Sequence, residues 1–279
     1  MDLSKAKVYD LGQPYFAGMP HHPNHPPFLM TLAKRHGDYV AKGEVSSASE
    51  AIALGGHVGT HIDALCHFSC DGKLHGGVPA RDVQSFTSGF AVHSVDTIAP
   101  IVRRGVLLDI AGQQRTETLA RDFAITPEHL DRAASEARVE IGAGDVVLLR
   151  TGWARFWEDP VRYITGGSGA EVCGPGPQIE GARWLSSRRV FAAGSDTIAF
   201  ERVPDSSMPV HVHLLVENGI HLIEALNLEG LARDRIYSFW FIAAPLKIRG
   251  GTGAPVRPLA LKSTEAAITT QVLDQTENG

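Results

Sequence analysis

Four short apolar runs divide the chain and limit the folds that it can adopt. They are "RGVLLDIAG", "DVVLLRTGW", "RVFAAGSDTIAF" and "IYSFWFIAAPLKI", at residues 104–112, 145–153, 189–200 and 236–248. Short runs rich in β-branched and aromatic residues are typical of buried strands. No run reaches the roughly 18 apolar residues of a membrane-spanning helix. The pattern therefore predicts a strand-rich sheet.

Helical segments alternate with these runs. In "TPEHLDRAASEARVEI" (126–141), Thr126 is placed to cap a helix and Pro127 suits its first position. In "HLLVENGIHLIEAL", the first half is helical in pattern and Gly219 is placed to end it. This alternation predicts an α/β domain with a mixed, strand-rich sheet or barrel. Without a Pro/Ser/Gly-rich linker, we expect one domain over residues 1–279, with "AITTQVLDQTENG" as a docking arm or a frayed end.

Composition excludes several classes of partner. The formal net charge of -5 gives no electrostatic footprint for nucleic acid or an anionic membrane. The first residues lack the apolar stretch of a signal peptide, and an odd number of cysteines suits a reducing compartment, so we expect a cytoplasmic protein. Cys66 and Cys70 could bind zinc, but packing as small apolar side chains is the favoured interpretation.

The segment "GGHVGTHIDALCHF" (55–68) concentrates metal-binding residue types. If residues 61–63 are extended, His61 and Asp63 share one face. A tight turn at Gly59–Thr60 would then bring His57 beside them. Two imidazoles and a carboxylate leave coordination positions open, as a catalytic metal requires. His67 is placed as a base near the metal or as a ligand of a second one. The alternative is a polar loop that happens to be rich in histidine.

A second group of histidines and carboxylates lies late in the chain. It is "PVHVHLLVENGIHLIEAL", which holds His211, His213, Glu217, His221 and Glu224. A carboxylate beside histidines strengthens the interpretation of a metal site.

The first cluster resembles the signature of the cyclase family of metal-dependent hydrolases, which includes kynurenine formamidases and isatin hydrolases. The pattern His-x-Gly-Thr-His-x-Asp-x-x-x-His is met in full, at His57, Thr60, His61, Asp63 and His67. Other stretches are similar to family segments: "GMPHHPNHPPF", "LLRTGWARFW", "GSDTIAF", "VHVHLLVENGIHLIEALNL" and "GGTGAPVRPLAL". The resemblance implies a mixed sheet of the swivelling ββα type and a homodimer or homotetramer.

The resemblance also implies residue roles. It makes His57, His61 and Asp63 metal ligands and His67 the catalytic histidine, with Glu224 binding a metal or contacting the reacting water. The late histidine ligand is His211, although His213 could compete with it. The chain departs from the common pattern by an insertion between residues 30 and 54 and by a lengthened segment around 155–180, and both could reshape the pocket.

We expect a metal-dependent hydrolase that cleaves a C–N bond in a cyclic amide or an N-acyl amine. One or two Mn²⁺ or Zn²⁺ ions would activate water, and the substrate would be a small, aromatic molecule. Trp153 and Phe68 are candidate substrate contacts, although a Trp that follows a strand packs more often in the core. Asp196 could orient a ligand histidine or cap a turn. The alternatives are a lactone hydrolase, a cyclase or dehydratase on the same metal, or a non-catalytic binding protein.

Overall fold

The computed structural model of the protein describes residues 5–263. Its strands are β1 (Lys7–Asp10), β2 (Leu29–Lys34), β3 (Val40–Ala41), β4 (Val45–Ser46), β5 (Ser49–Ala53), β6 (His61–Asp63), β7 (Gln84–Ser85), β8 (Gly89–Phe90), β9 (Ile101–Asp109), β10 (Ala124–Ile125), β11 (Val146–Arg150), β12 (Gly176–Pro177), β13 (Ala192–Ser195), β14 (His221–Glu224), β15 (Ser238–Ala243), β16 (Gly253–Pro255) and β17 (Leu259–Lys262). Its α-helices are α1 (Ala80–Val83), α2 (Ile110–Gln113), α3 (Pro127–Ala137), α4 (Pro160–Thr165), α5 (Ile179–Ser187), α6 (Pro209–His211) and α7 (Glu229–Arg233). Short 3₁₀ segments lie at His75–Gly77, Val95–Thr97 and Trp153–Phe156, and α6 continues as a π-helical segment, Val212–Glu217.

Nine of these strands form one mixed sheet in the order β1-β17-β15-β9-β11-β13-β14-β6-β16. The central strands β9, β11, β13 and β14 are parallel to one another. The flanking strands are antiparallel to their neighbours, with β15, β17 and β1 on one side and β6 and β16 on the other. The expected α/β fold with a mixed, strand-rich sheet is therefore confirmed.

The central strands are buried on both faces, which explains their continuous apolar sequence. In β11, Val146 and Leu148 point into one hydrophobic cluster, and Val147 and Leu149 point into another. Helices α3 and α5 cover the second cluster through residues such as Leu130. All four of these β11 residues have no exposed surface, so the sheet is a rigid base for the loops at its edge.

All four apolar runs contain strand residues, but in each run the strand ends before the apolar run does. The run 104–112 ends as a strand at Asp109, whose side chain accepts a hydrogen bond from the Gly112 N–H at 2.9 Å and so begins α2. The strands in 145–153, 189–200 and 236–248 are Val146–Arg150, Ala192–Ser195 and Ser238–Ala243. Side-chain caps and turns thus end these strands before their apolar character does.

Both helical expectations are confirmed, although the limits of the helices differ from those predicted. Helix α3 begins after Thr126 with Pro127 in its first turn, and it ends at Ala137 because Arg138 takes a left-handed conformation with φ 54°. The second helical segment runs from Pro209 to Glu217 and gives way to β14 after Gly219, whose φ is 66°. The chain end that sequence assigns to a docking arm or frayed end lies outside the described residues.

One part of the chain stands apart from the nine-stranded sheet. Strands β2 and β5 pair only with each other, and the tip between them carries the short pair β3 and β4. We call residues 29–53 the hairpin arm. It falls in the insertion noted between residues 30 and 54. Within residues 5–263, no helix is long and apolar enough to cross a membrane.

Candidate metal centre

The turn between His57 and β6 has the form that its glycines predict. Gly59 has a φ of 66°, and a Cβ atom there would lie 2.0 Å from the ring of Tyr15. The Tyr15 hydroxyl is 2.8 Å from the Val58 carbonyl oxygen and 2.9 Å from that of Thr60, so it holds the turn from outside. As a result the His57 side chain lies beside β6, next to Asp63.

Strand β6 places His61 and Asp63 on one face, as expected. The strand lies between β14 and β16, and its three residues are at most 2% exposed. The register opposes Glu224 of β14 to His61. The early cluster and the late glutamate therefore meet through strand pairing, although 160 positions separate them in the sequence.

The ligand atoms of His61, Asp63 and Glu224 have the spacing of a metal site. The Nε2 atom of His61 is 3.5 Å from Asp63 Oδ1 and 3.5 Å from Glu224 Oε2. These separations are long for hydrogen bonds. Two ligands each about 2.1 Å from a tetrahedral ion lie roughly 3.4 Å apart, so the spacing matches an ion between them. The Nδ1 atom of His61 is 2.8 Å from the Gly59 carbonyl oxygen, which leaves Nε2 as the free nitrogen.

Asp63 is the shared member of two groups that could hold an ion. One group is His61, Asp63 and Glu224, and the other is His57, Asp63 and His67. The Oδ2 atom of Asp63 is buried and has no hydrogen-bond partner. Burial alone would raise the pKa of Asp63, but the imidazoles of His67 and His57 outweigh it and lower that pKa. An ionised, unpartnered carboxylate oxygen in a buried site is a strong cation ligand.

His57 is fixed at both ring nitrogens. Its Nδ1 lies 2.7 Å from Asp63 Oδ1, and its Nε2 lies 2.9 Å from the hydroxyl oxygen of Thr252. A Cβ atom at Gly253 would lie 2.5 Å from the His57 ring, so glycine is needed there for the imidazole to pack. The "GGTG" stretch thus helps to position His57.

The structure brings His211, and not His213, to the cluster. The Nε2 atom of His211 is 3.2 Å from Glu224 Oε1 and 3.8 Å from Asp63 Oδ2. His213, two residues later, contacts Glu217 and Ser186 instead. Burial lowers the pKa of His211, but hydrogen bonds with Glu201 and Glu224 outweigh it and raise that pKa to about 10.

His67 lies at the edge of the cluster and faces the cavity. Its ring stacks on that of His57 with a centroid distance of 3.8 Å, and it meets the Phe68 ring edge-on at 4.9 Å. Burial lowers the pKa of His67 to about 3, against the opposing attraction of Asp63. An unprotonated imidazole beside a metal group can accept a proton.

A cavity of about 520 Å³ opens over this cluster. Its polar wall includes His22, Asn24 and His25 from the Pro-rich loop. The candidate residues His57, His61, His67, His211 and Glu224 also line it. Its apolar wall is formed by Phe68, Val172, Ile198, Ala199, Val203, Pro204 and Met208. Burial lowers the pKa of His25 to about 4, so this loop adds a neutral imidazole to the wall. The predicted substrate contact Phe68 thus lies at the cavity.

Trp153, the other predicted substrate contact, lies elsewhere. It is buried in a cluster with residues such as Trp157 and Tyr163, and its indole N–H donates to the Tyr163 carbonyl oxygen at 2.8 Å. It is not among the residues that line the cavity. Its aromatic surface fills the core because the 3₁₀ turn after β11 points it inward, so we assign it no substrate contact.

Other sequence candidates also have structural roles. Asp196 caps a turn, because its carboxylate accepts hydrogen bonds from the Thr151 and Gly152 N–H groups at 2.8 Å each. Cys66 is buried, Cys70 is exposed, and neither belongs to the two candidate groups for an ion among the described residues.

Sequence reasoning missed two residues that hold the candidate ligands. Glu201 contacts His211, and Thr252 contacts His57. Glu201 stands ten positions before its histidine and Thr252 nearly two hundred after, so no local spacing relates them. Glu201 follows the predicted buried strand at 189–200 directly, and that position was the one indication in the sequence that it could have a functional role.

The residues present suit a divalent ion. Three imidazoles, an unpartnered aspartate oxygen and a glutamate converge beside the cavity, and this mixed donor set suits zinc or manganese. His61, Asp63 and Glu224, joined by His211, are the residues that would hold it, with His57 bound to Asp63 at their side.

Known proteins share this fold and sequence pattern. The chain is 31% identical over 219 residues to an isatin hydrolase of Roseibium aggregatum. The aligned region covers 75% of this chain and 73% of the isatin hydrolase. It is 26% identical over 211 residues to a kynurenine formamidase of Salinibacter ruber, covering 74% and 76%. A solved cyclase structure superposes with a TM-score of 0.83 at 29% identity, covering 92% of this chain and 87% of that one.

These relatives confirm the resemblance read from the motif and the expectation of a hydrolytic enzyme. The sequence model of the family named Cyclase matches residues 9–202, which is more than half of the chain. On that match, and on the identity to the isatin hydrolase, the chain belongs to the Cyclase family.

Proposed function

We propose that the protein is a metal-dependent hydrolase that cleaves a C–N bond in a small aromatic cyclic amide or N-acyl amine. The observation that carries the proposal is the convergence of His61, Asp63 and Glu224 with the spacing of metal ligands beneath an open cavity. The unpartnered Oδ2 atom of Asp63 supports it. So do the names of the two relatives, one a hydrolase of isatin, which is a cyclic aryl amide, and one a formamidase.

A zinc or manganese ion at this site would supply Lewis acidity, lowering the pKa of water and polarising a carbonyl group. His67 takes the proton from the attacking water and delivers it to the leaving nitrogen. The role follows from its place at the cavity edge, since no hydrogen bond within residues 5–263 holds its ring nitrogens. Amide nitrogens are poor leaving groups, so the delivery step matters as much as the attack.

The cavity favours an aromatic acyl or amine group. Phe68 and the aliphatic residues beside it offer an apolar surface, while the histidines of the Pro-rich loop face it from the other side. Aromatic rings pack well on such walls and leave the carbonyl to the polar end. Glu224 would bind the ion or contact the reacting water.

The test is metal analysis combined with product analysis. The metal content of the wild type, His61→Ala and His36→Ala would be measured after incubation with zinc and with manganese. We expect one or two equivalents in the wild type and in the His36→Ala control, which changes an exposed histidine of the hairpin arm, and loss of metal in His61→Ala.

The same preparations would be assayed with isatin, with formanilide and with an aryl lactone. Ring opening of isatin or release of formate plus amine supports the proposal. Hydrolysis of the lactone alone would assign the site to ester chemistry, and loss of water without hydrolysis would assign it to a dehydratase. A wild type that takes up no metal would overturn the proposal and leave a binding protein as the function.

A further inference from the structure

Glu201 is a buried carboxylate that does not line the cavity. It contacts His211, which does line the cavity. Glu201 is 1% exposed. Its Oε1 atom lies 2.6 Å from His211 Nδ1 and accepts the His211 backbone N–H at 3.0 Å, while its Oε2 accepts the Val210 N–H at 3.3 Å. Both oxygens are therefore used on α6, and none is left for a substrate or an ion.

This arrangement determines which nitrogen of His211 reaches the site. A carboxylate accepts hydrogen bonds, so Nδ1 must carry a proton and donate it. The other nitrogen, Nε2, is then the one that faces Glu224 and Asp63. A carboxylate behind a ligand histidine also makes that histidine a stronger donor to a metal.

We propose that Glu201 is a positioning residue that fixes the orientation and tautomer of His211 for metal binding. The inference rests on the proposed metal centre, because it assigns Glu201 a role through that centre. A buried carboxylate is costly to keep away from water, and packing alone would be served better by an apolar side chain.

A matched control lies in the same helical segment, two residues after His211. His213 and Glu217 form an equivalent pair, with Nδ1 to Oε2 at 2.6 Å, but this pair lies on the outer side of the helix and away from the cavity. Glu201→Gln and Glu217→Gln therefore make the same chemical change to the carboxylate partners of two histidines in one helical segment.

The experiment measures metal affinity by competition with a chromogenic chelator. We expect Glu201→Gln to weaken zinc binding by about 10- to 100-fold, which is the usual effect of losing such a partner. Glu217→Gln should bind zinc as the wild type does. Glu201→Asp, which keeps the charge on a shorter side chain, should recover part of the affinity.

Thermal unfolding of the metal-free proteins separates positioning from stability. If Glu201→Gln lowers the melting temperature but binds zinc like the wild type, Glu201 is structural and the proposal is overturned. A wild type that binds no zinc contradicts the metal centre itself, and that failure is distinct from an unchanged affinity in the variant.

Discussion

Strand β6 and the hairpin arm are both short β-structures, yet their environments are opposite. The three residues of β6 are at most 2% exposed and are paired on both sides, by β14 and β16. The strands of the arm pair only with each other and have no buried residue. The same kind of local geometry therefore serves a reactive centre in one region and an open surface in the other.

The difference shows what a strand contributes to function. In β6, burial removes water from His61 and Asp63, so their mutual geometry is fixed and their charges interact strongly. In the arm, Arg35 and Asp38 form an ion pair with a nitrogen–oxygen distance of 3.2 Å, but both side chains are exposed, so solvent screens the pair and it contributes little energy. Identical substitutions, one in β6 or in a residue close to it and one in the arm, should therefore give very different results, and four pairs test this.

The largest difference is expected for aspartate. Asp63→Asn removes the carboxylate shared by both candidate groups for an ion, whereas Asp38→Asn removes one that pairs with Arg35 on the arm. We expect Asp63→Asn to weaken zinc or manganese binding by more than about 100-fold, beyond the range typical of residues that only support ligands. Metal analysis and hydrolysis assays would measure this. Normal metal content in Asp63→Asn would contradict the assigned centre.

Histidine gives the second comparison. His67→Ala should lower turnover by about 10² to 10⁴-fold, the usual contribution of a positioned acid–base group, while the metal stays bound. His36→Ala should leave turnover unchanged, because His36 is exposed and its Nδ1 atom lies 3.0 Å from the hydroxyl oxygen of Ser46 on the arm. Turnover and metal content would be measured on the same samples. Loss of metal in His67→Ala would make His67 a ligand.

The sequence predicts the central sheet well and the arm poorly, for one physical reason. The central strands are buried on both faces, so their residues are continuously apolar and easy to identify. The arm mixes apolar and charged residues because solvent touches all of it, and such a pattern resembles a loop. The central strands end before their apolar runs do because of caps such as Asp109. A hydrophobicity pattern does not predict such caps.

The candidate centre divides in a similar way. His57, His61 and Asp63 lie within seven positions, so their convergence follows from a turn and a strand that local sequence predicts. Glu201 and Thr252 act across tertiary contacts, and local spacing does not relate either residue to its histidine. Trp153 is ambiguous in sequence for a different reason. Its position after a strand fits both a pocket wall and the core, and the structure places it in the core.

Isoleucine extends the comparison from chemistry to stability. Ile62 has no exposed surface, and Ile62→Ala should lower the free energy of unfolding by about 2–5 kcal/mol because it leaves a cavity. Ile52 is 53% exposed, so Ile52→Ala should change it by no more than about 0.5 kcal/mol in dilute protein. Urea unfolding at low protein concentration would measure both. An equal loss at Ile52 would mean that the arm is covered even in dilute solution.

Tyrosine gives the smallest effect and the finest test of the turn that positions His57. Tyr15→Phe removes a hydroxyl that lies 2.8 Å from the Val58 carbonyl oxygen, so it should lower the free energy of unfolding by roughly 1 kcal/mol. Tyr39→Phe, on the arm, should have no measurable effect, since Tyr39 is 67% exposed. If the Tyr15 hydroxyl also keeps the turn in shape, Tyr15→Phe should weaken metal binding as well. An unfolding loss without any change in metal affinity would show that Gly59 and Thr60 hold the turn by themselves.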